Sequence, residues 1–185
     1  VMTNNPEERM NIYASFSQRI KKWEFGLNGN LGFNKYIQNT NAIDIPTQSN
    51  NQSLGVSLRT YYKEIPTFKL GYNKSFSQLK TSYNNETSTD NVSFGVDYKF
   101  LKRLTFKGNY NYNLTKYNAS YVKFEQANVS LEYKKENSPC LFILQGNNLF
   151  NTGLINNVSF SDFMVNNTNT YVLPRVFLLS IQYKL

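Results

Sequence analysis

Trp23-Glu24-Phe25-Gly26-Leu27-Asn28-Gly29-Asn30-Leu31-Gly32-Phe33-Asn34 is the stretch that decides the fold class. Trp23, Phe25, Leu27, Leu31 and Phe33 share one parity, and Glu24, Gly26, Asn28, Asn30, Gly32 and Asn34 share the other. Successive side chains of a strand point to opposite faces, so this segment predicts a strand with one oily face and one polar, small-residue face.

The same two-residue period recurs along the chain. Met10, Ile12, Ala14 and Phe16 precede it, alternating with Asn11, Tyr13, Ser15 and Ser17. Downstream come Leu54, Val56, Leu58 and Tyr62, then Phe68, Leu70, Tyr72 and Phe76, then Val92, Phe94, Val96, Tyr98 and Phe100. Leu104, Phe106, Tyr110, Tyr112 and Leu114 follow, and Ala127, Val129, Leu131 and Tyr133 make a seventh run. Phe142 and Leu144 sit in an eighth whose two faces the sequence does not separate; Phe177, Leu179, Ile181, Tyr183 and Leu185 form the last. The expectation is an all-β, antiparallel up-and-down meander of about nine strands, several near the ~9–11 residues that cross a bilayer at a tilt.

Connections supply a second signal. Lys21-Lys22, Lys63 to Pro66, Leu101 to Arg103 and Lys134 to Pro139 read as short turns. Between them lie the polar stretches Gln38 to Asn50, Gln78 to Thr89, Thr115 to Ser120 and Asn151 to Thr170, which read as loops. Short turns at one rim and long loops at the other characterise outer-membrane barrels, with the short rim in the periplasm. On that reading the C-terminus is periplasmic. Each short turn carries Lys or Arg, a placement that would set cations beside lipid phosphates. Trp23, Tyr62, Phe68, Tyr98, Phe100, Tyr133 and Tyr183 fall beside the short turns, where an aromatic girdle belongs; Phe76, Tyr117, Tyr121 and Phe150 fall toward the other rim.

Composition agrees. Among 185 residues there are 14 Tyr and 14 Phe, a mixture suited to strands. The mean hydropathy of −0.52 does not argue against a membrane, because a barrel shows lipid only every second residue. There is no run of about 18 apolar residues to form a transmembrane helix, and Val1 to Arg9 lacks the pattern of a signal peptide. Lys74 lies on the oily parity; at the bilayer midplane it would cost roughly 2–4 kcal/mol, near an interface about 0–1, and snorkelling would take its ammonium to the rim.

Several functions are excluded or disfavoured. With no histidine, Ser-His-Asp, Cys-His and imidazole-metal chemistry are impossible within the chain, and an enzyme is not expected. Glu24, Asp97 and Glu132 occupy the polar parity of separate strands and read as solvated lumen charges rather than as an acid-base pair. No catalytic, cofactor, metal or ligand-binding residue is assigned, and no cofactor is expected. Cys140, the only cysteine, can form no intrachain disulfide and reads as a small buried hydrophobe. The net charge of +8 comes from scattered cations without a dense tract, so nucleic acid is not an expected partner. Asn-x-Ser/Thr triplets such as Asn85 to Thr87, Asn91 to Ser93 and Asn157 to Ser159 are common in so Asn-rich a chain and carry no assignment.

A soluble ligand-binding β-barrel with its oily face turned inward shares the alternation. Against it stands quantity: four or five large apolar residues on each of about nine strands would overcrowd a small barrel's interior.

The C-terminal segments Phe142-Ile143-Leu144-Gln145-Gly146-Asn147-Asn148-Leu149-Phe150-Asn151-Thr152 and Leu173-Pro174-Arg175-Val176-Phe177-Leu178-Leu179-Ser180-Ile181-Gln182-Tyr183-Lys184-Leu185 resemble the end of TonB-dependent outer-membrane receptors of the Bacteroidetes type. In those receptors an Asn-Leu-Phe-Asn segment precedes the final loop and an Arg-containing last strand. Leu185 departs from their usual final aromatic residue. The resemblance implies a barrel of about 22 strands, of which residues 1–185 would be the C-terminal portion, without the N-terminal plug domain. It also implies energy-coupled nutrient uptake, with the outer-membrane bilayer, the rest of the receptor, the TonB complex and a surface lipoprotein as partners. The loops Gln38 to Asn50 and Asn151 to Thr170 would then face the ligand. The alternative is a complete small outer-membrane barrel serving as anchor, adhesin or narrow pore; an odd strand count with the first strand starting at the outer rim weighs against it.

Overall fold

A computed structural model describes residues 7–40, 43–62, 64–100, 103–118, 120–136, 138–161 and 164–183. Eleven strands run in sequence: β1 (Glu8–Ile20), β2 (Trp23–Thr40), β3 (Ile43–Thr60), β4 (Thr67–Lys80), β5 (Asn84–Phe100), β6 (Leu104–Tyr117), β7 (Ser120–Lys134), β8 (Cys140–Asn147), β9 (Leu154–Ser161), β10 (Met164–Tyr171) and β11 (Val176–Tyr183). Nine form one antiparallel sheet in the order β1-β2-β3-β4-β5-β6-β7-β8-β11, while β9 and β10 form a separate hairpin. Every neighbour in the main sheet is the nearest available strand in sequence, as an up-and-down meander requires.

Register makes the oily face continuous. One row of directly opposed residues reads Phe16, Leu27, Val56, Tyr72, Val92 and Tyr112 from β1 to β6. Another reads Tyr98, Phe106, Leu131, Leu144 and Leu179 from β5 to β11. Phe142 and Leu144 therefore join the oily face beside Tyr133 and Leu131, and Leu141 and Ile143 turn to the other side.

The band crosses the sheet diagonally. Its centre moves from near Ser15 on β1 to near Ser180 on β11, a displacement of about eight residues over eight strand steps. One residue of ~3.4 Å per ~4.8 Å strand step lies level only if the strands tilt by roughly 35°. At that tilt the apolar run from Met10 to Ile20 spans about 28 Å, close to the ~25 Å band of membrane barrels.

The four expected loops are largely strand. Gln38–Thr40 and Ile43–Asn50 are the paired upper parts of β2 and β3, with Gln38 opposite Ile45 and Asn39 opposite Asp44, and residues 41–42 lie outside the described residues. Gln78 to Thr89 reduces to a connection at 81–83, and Thr115 to Ser120 to one between Tyr117 and Ser120. Asn151 to Thr170 contains the β9–β10 hairpin. Beyond the apolar band both faces of a strand are wet, so alternation vanishes while the backbone ladder continues. The two rims thus differ by strand extension more than by loop length. The strand ends that flank the four expected short turns lie where the sequence puts them, with residues 63, 101–102 and 137 outside the described residues, and Lys21 takes a left-handed φ of 55° between β1 and β2. Leu185 lies outside the described residues.

Candidate functional site

The two faces of the sheet are the chemistry of this protein. Phe16 is 62% exposed, Leu70 49% and Leu179 71%, and Leu79 is the only buried apolar side chain among the described residues. An oily face of this extent packed against nothing is the reverse of a closed apolar interior, which corrects the soluble inward-facing alternative. Near the short turns the girdle forms as pairs: Trp23 meets Tyr62 edge-on at 6.3 Å, Phe68 stacks with Phe94 at 6.2 Å, and Tyr133 lies 6.3 Å from Phe142. At the other rim Tyr117 departs from the expected belt: it sits in register with Thr87 on the polar face, and its hydroxyl donates to Asn85. Cys140 is half-exposed on the oily face opposite Tyr183, not buried.

Lys74 has a partner that the sequence reading missed. Asp90 stands directly across from it on β5, with Lys74 Nζ 3.2 Å from Asp90 Oδ1 and the Tyr72 hydroxyl donating to the same carboxylate. Lys123 and Glu125 pair at 2.9 Å at the same edge of the band. Four strand residues above the band centre at ~3.4 Å each, tilted by roughly 35°, put Lys74 about 11 Å from the midplane, where a charge costs little. Asp90 sits one residue beyond a stretch that reads as loop, which is why it went unnoticed.

The opposite face is built of Asn, Ser, Thr and Gly. Asn128 donates to Asn109, Thr89 and Thr115 share a hydrogen bond, and Ser77 donates to Asn51. Near the short turns charges replace amides, and the three carboxylates expected to be merely solvated are all engaged. Asp97 pairs with Lys69, Glu132 with Lys107 at 2.6 Å, and Glu24 accepts a 2.7 Å hydrogen bond from the Tyr61 hydroxyl. Tyr61 lies between two guanidinium groups, with Arg19 Cζ 4.2 Å and Arg59 Cζ 4.8 Å from its ring centroid. The hydrogen bond to Glu24 raises the Tyr61 pKa above the usual phenol value, since a phenolate there would face a carboxylate.

Arg19, Arg59, Lys69 and Lys107, the strand cations that flank the short turns, all lie on the polar face. Of the cations within the turns, Lys22 reaches toward the girdle, its Nζ 5.0 Å from the Tyr62 ring centroid.

The Asn-Leu-Phe-Asn segment builds a polar knot at the end of β8. Asn148 is 2% exposed with φ 51°, and Asn151 has φ 56°. The Asn148 amide donates to the carbonyls of Thr152 at 2.9 Å and Leu173 at 2.8 Å, and its oxygen accepts from Thr152 N at 3.0 Å. Asn151 in turn accepts from Arg175 N, and Phe150 meets Tyr110 edge-on at 5.8 Å. The knot ties both ends of the long connection to β7 and fixes where β11 enters the sheet. Asn tolerates left-handed backbone and offers both donor and acceptor, which explains the residue choice.

No family model matches the sequence, and no curated relative matches it. Solved structures do. The in-vitro folded form of OmpT, an outer membrane protein of Vibrio cholerae, superposes with a TM-score of 0.51 at 13% identity, over 96% of this chain and 55% of that one. The sheet has the fold of outer-membrane β-barrels. OmpT expressed in the outer membrane gives 0.52 at 12% identity over 96% of this chain and 56% of its own, and a mutant lacking loop L8 gives 0.51. The chain spans about half the length of these structures. The likeness is to outer-membrane barrels in general and does not single out a TonB-dependent receptor.

Proposed function

We propose that this chain is barrel wall in the outer membrane of a bacterium, with its C-terminus periplasmic, separating lipid from a wet lumen through which solutes pass. The observation that carries the reading is the continuous exposed oily face backed by a polar face, level with a bilayer at an ordinary strand tilt. The wall reads as part of a larger barrel. Among the described residues β1 and β11 are the two ends of the sheet, and backbone groups left unpaired in lipid cost several kcal/mol each. Nine antiparallel strands leave those two edges running the same way, so closing them on each other would need a parallel pair. The Asn-Leu-Phe-Asn knot supports the finer reading of a TonB-coupled receptor for nutrient uptake.

A second reading, a self-contained small barrel, is favoured by two observations. The nine-stranded count is close to that of ~8-stranded barrels, and the likeness to OmpT is not specific to receptors. Folding the chain into lipid vesicles and measuring its size and conductance separates the readings. A closed, conducting monomer supports the small barrel; a species that stays open-edged and protease-sensitive until other barrel strands are supplied supports the larger one. Stable, detergent-free solubility with the oily rings shielded from a collisional quencher sinks both.

A further inference from the structure

The net charge of this chain is not spread evenly. Residues 19–24, 59–69, 97–107 and 132–136, the segments flanking the four short turns, carry 12 of the 20 cations and 5 of the 12 acids. That difference, +7, is nearly the whole net charge of +8. On the polar face of this rim Asp97 and Glu132 are neutralised by Lys69 and Lys107. Arg19 and Arg59 are not: among the described residues neither has a carboxylate within 4.0 Å. Glu24 stands opposite both in register, yet its carboxylate accepts the Tyr61 hydroxyl instead.

We propose that the short-turn mouth of the polar face binds anions, with Arg19 and Arg59, stacked against Tyr61, as the primary contact for carboxylate or phosphate groups. Stacking orients a guanidinium without consuming its donors, and two planar forks offer the bidentate geometry that oxyanions take. Arg19 spends only Nε on the Lys21 carbonyl, at 3.2 Å. Tyr61 has a second role: by holding Glu24 it keeps the neighbouring carboxylate from filling the site. The inference rests on the polar face lining a lumen, and it names the solute class which that mouth favours.

The test uses the full chain folded in detergent micelles and titrated with pyrophosphate and with citrate by calorimetry, at low and high ionic strength. Arg19→Gln with Arg59→Gln is expected to weaken binding at least tenfold, and Lys35→Gln with Lys80→Gln, which removes equal charge elsewhere, less than twofold. Arg19→Lys with Arg59→Lys keeps the charge but loses the fork, and is expected to fall between wild type and the Gln pair. Tyr61→Phe is expected to weaken binding by releasing Glu24. Equal affinity in the wild type and the Arg19→Gln/Arg59→Gln protein, or no anion binding by the wild type, overturns the proposal; so does a control pair that weakens binding as much as the arginine pair. The underlying reading is checked separately in a Cys140→Ser background in vesicles. A Ser57→Cys variant should react with a water-soluble thiol reagent and a Val56→Cys variant should not. Reaction at Ser57→Cys without anion binding sinks only the anion site, whereas the reverse labelling pattern sinks the lumen assignment.

Discussion

Two neighbouring residues of β3 should respond oppositely to the same substitution. Val56, Ser57 and Leu58 lie at the centre of the apolar band, where the diagonal of the sheet crosses β3. Leu58 is in register with Phe25 and Leu70 on the oily face; Ser57 faces Gly26 and Gly71 on the polar face, where there is room for a longer side chain. Arginine at the midplane of the lipid face costs roughly 2–4 kcal/mol. Leu58→Arg should therefore reduce the folding equilibrium constant by about 30- to 700-fold at tenfold per ~1.4 kcal/mol. Ser57→Arg should stay within about 0.5 kcal/mol of wild type, as a solvated surface change does. Equilibrium unfolding in guanidinium with lipid vesicles measures both, and Trp23, the only tryptophan, is a built-in fluorescent probe on the oily face. A greater loss from Ser57→Arg than from Leu58→Arg would show that the two faces have been assigned backwards.

Three further outcomes follow from single contacts. Asp90→Ala should destabilise by at most about 1 kcal/mol, because Lys74 lies near the band edge, and Lys74→Leu combined with Asp90→Leu should be no less stable than Asp90→Ala; the same unfolding assay decides. Asn148→Ala removes the three hydrogen bonds that its side chain makes with Thr152 and Leu173 from a buried site, so a loss of roughly 2–3 kcal/mol and faster proteolysis between Gly153 and Arg175 are expected, read by timed digestion. Tyr61 should ionise above the usual phenol range, and Glu24→Gln should bring its titration back down, because the carboxylate that opposes the phenolate is gone; the difference in tyrosinate absorbance between Glu24→Gln and wild type tests the sign.

The sequence by itself determined the period, the strand count of the main sheet, the short turns and the oily residues of every strand of that sheet except β8, whose Phe142 and Leu144 were placed by register. All of these follow from alternation between lipid and water, a signal written locally in residues such as Trp23 to Phe33. It could not follow the chain above the band, where Gln38–Thr40, Ile43–Asn50, Gln78–Lys80 and Asn84–Thr89 are wet on both sides and only the backbone ladder marks them as strand. Only the tertiary structure decided which groups meet across strands. Lys74 with Asp90, Tyr61 with Arg19, and Asn148 with Leu173 join residues 16 to 42 positions apart, and the partner is fixed by register, turn length and the shear that tilts the sheet. Those quantities belong to the assembled sheet, because a strand's own sequence states which face each side chain takes but not what stands opposite it.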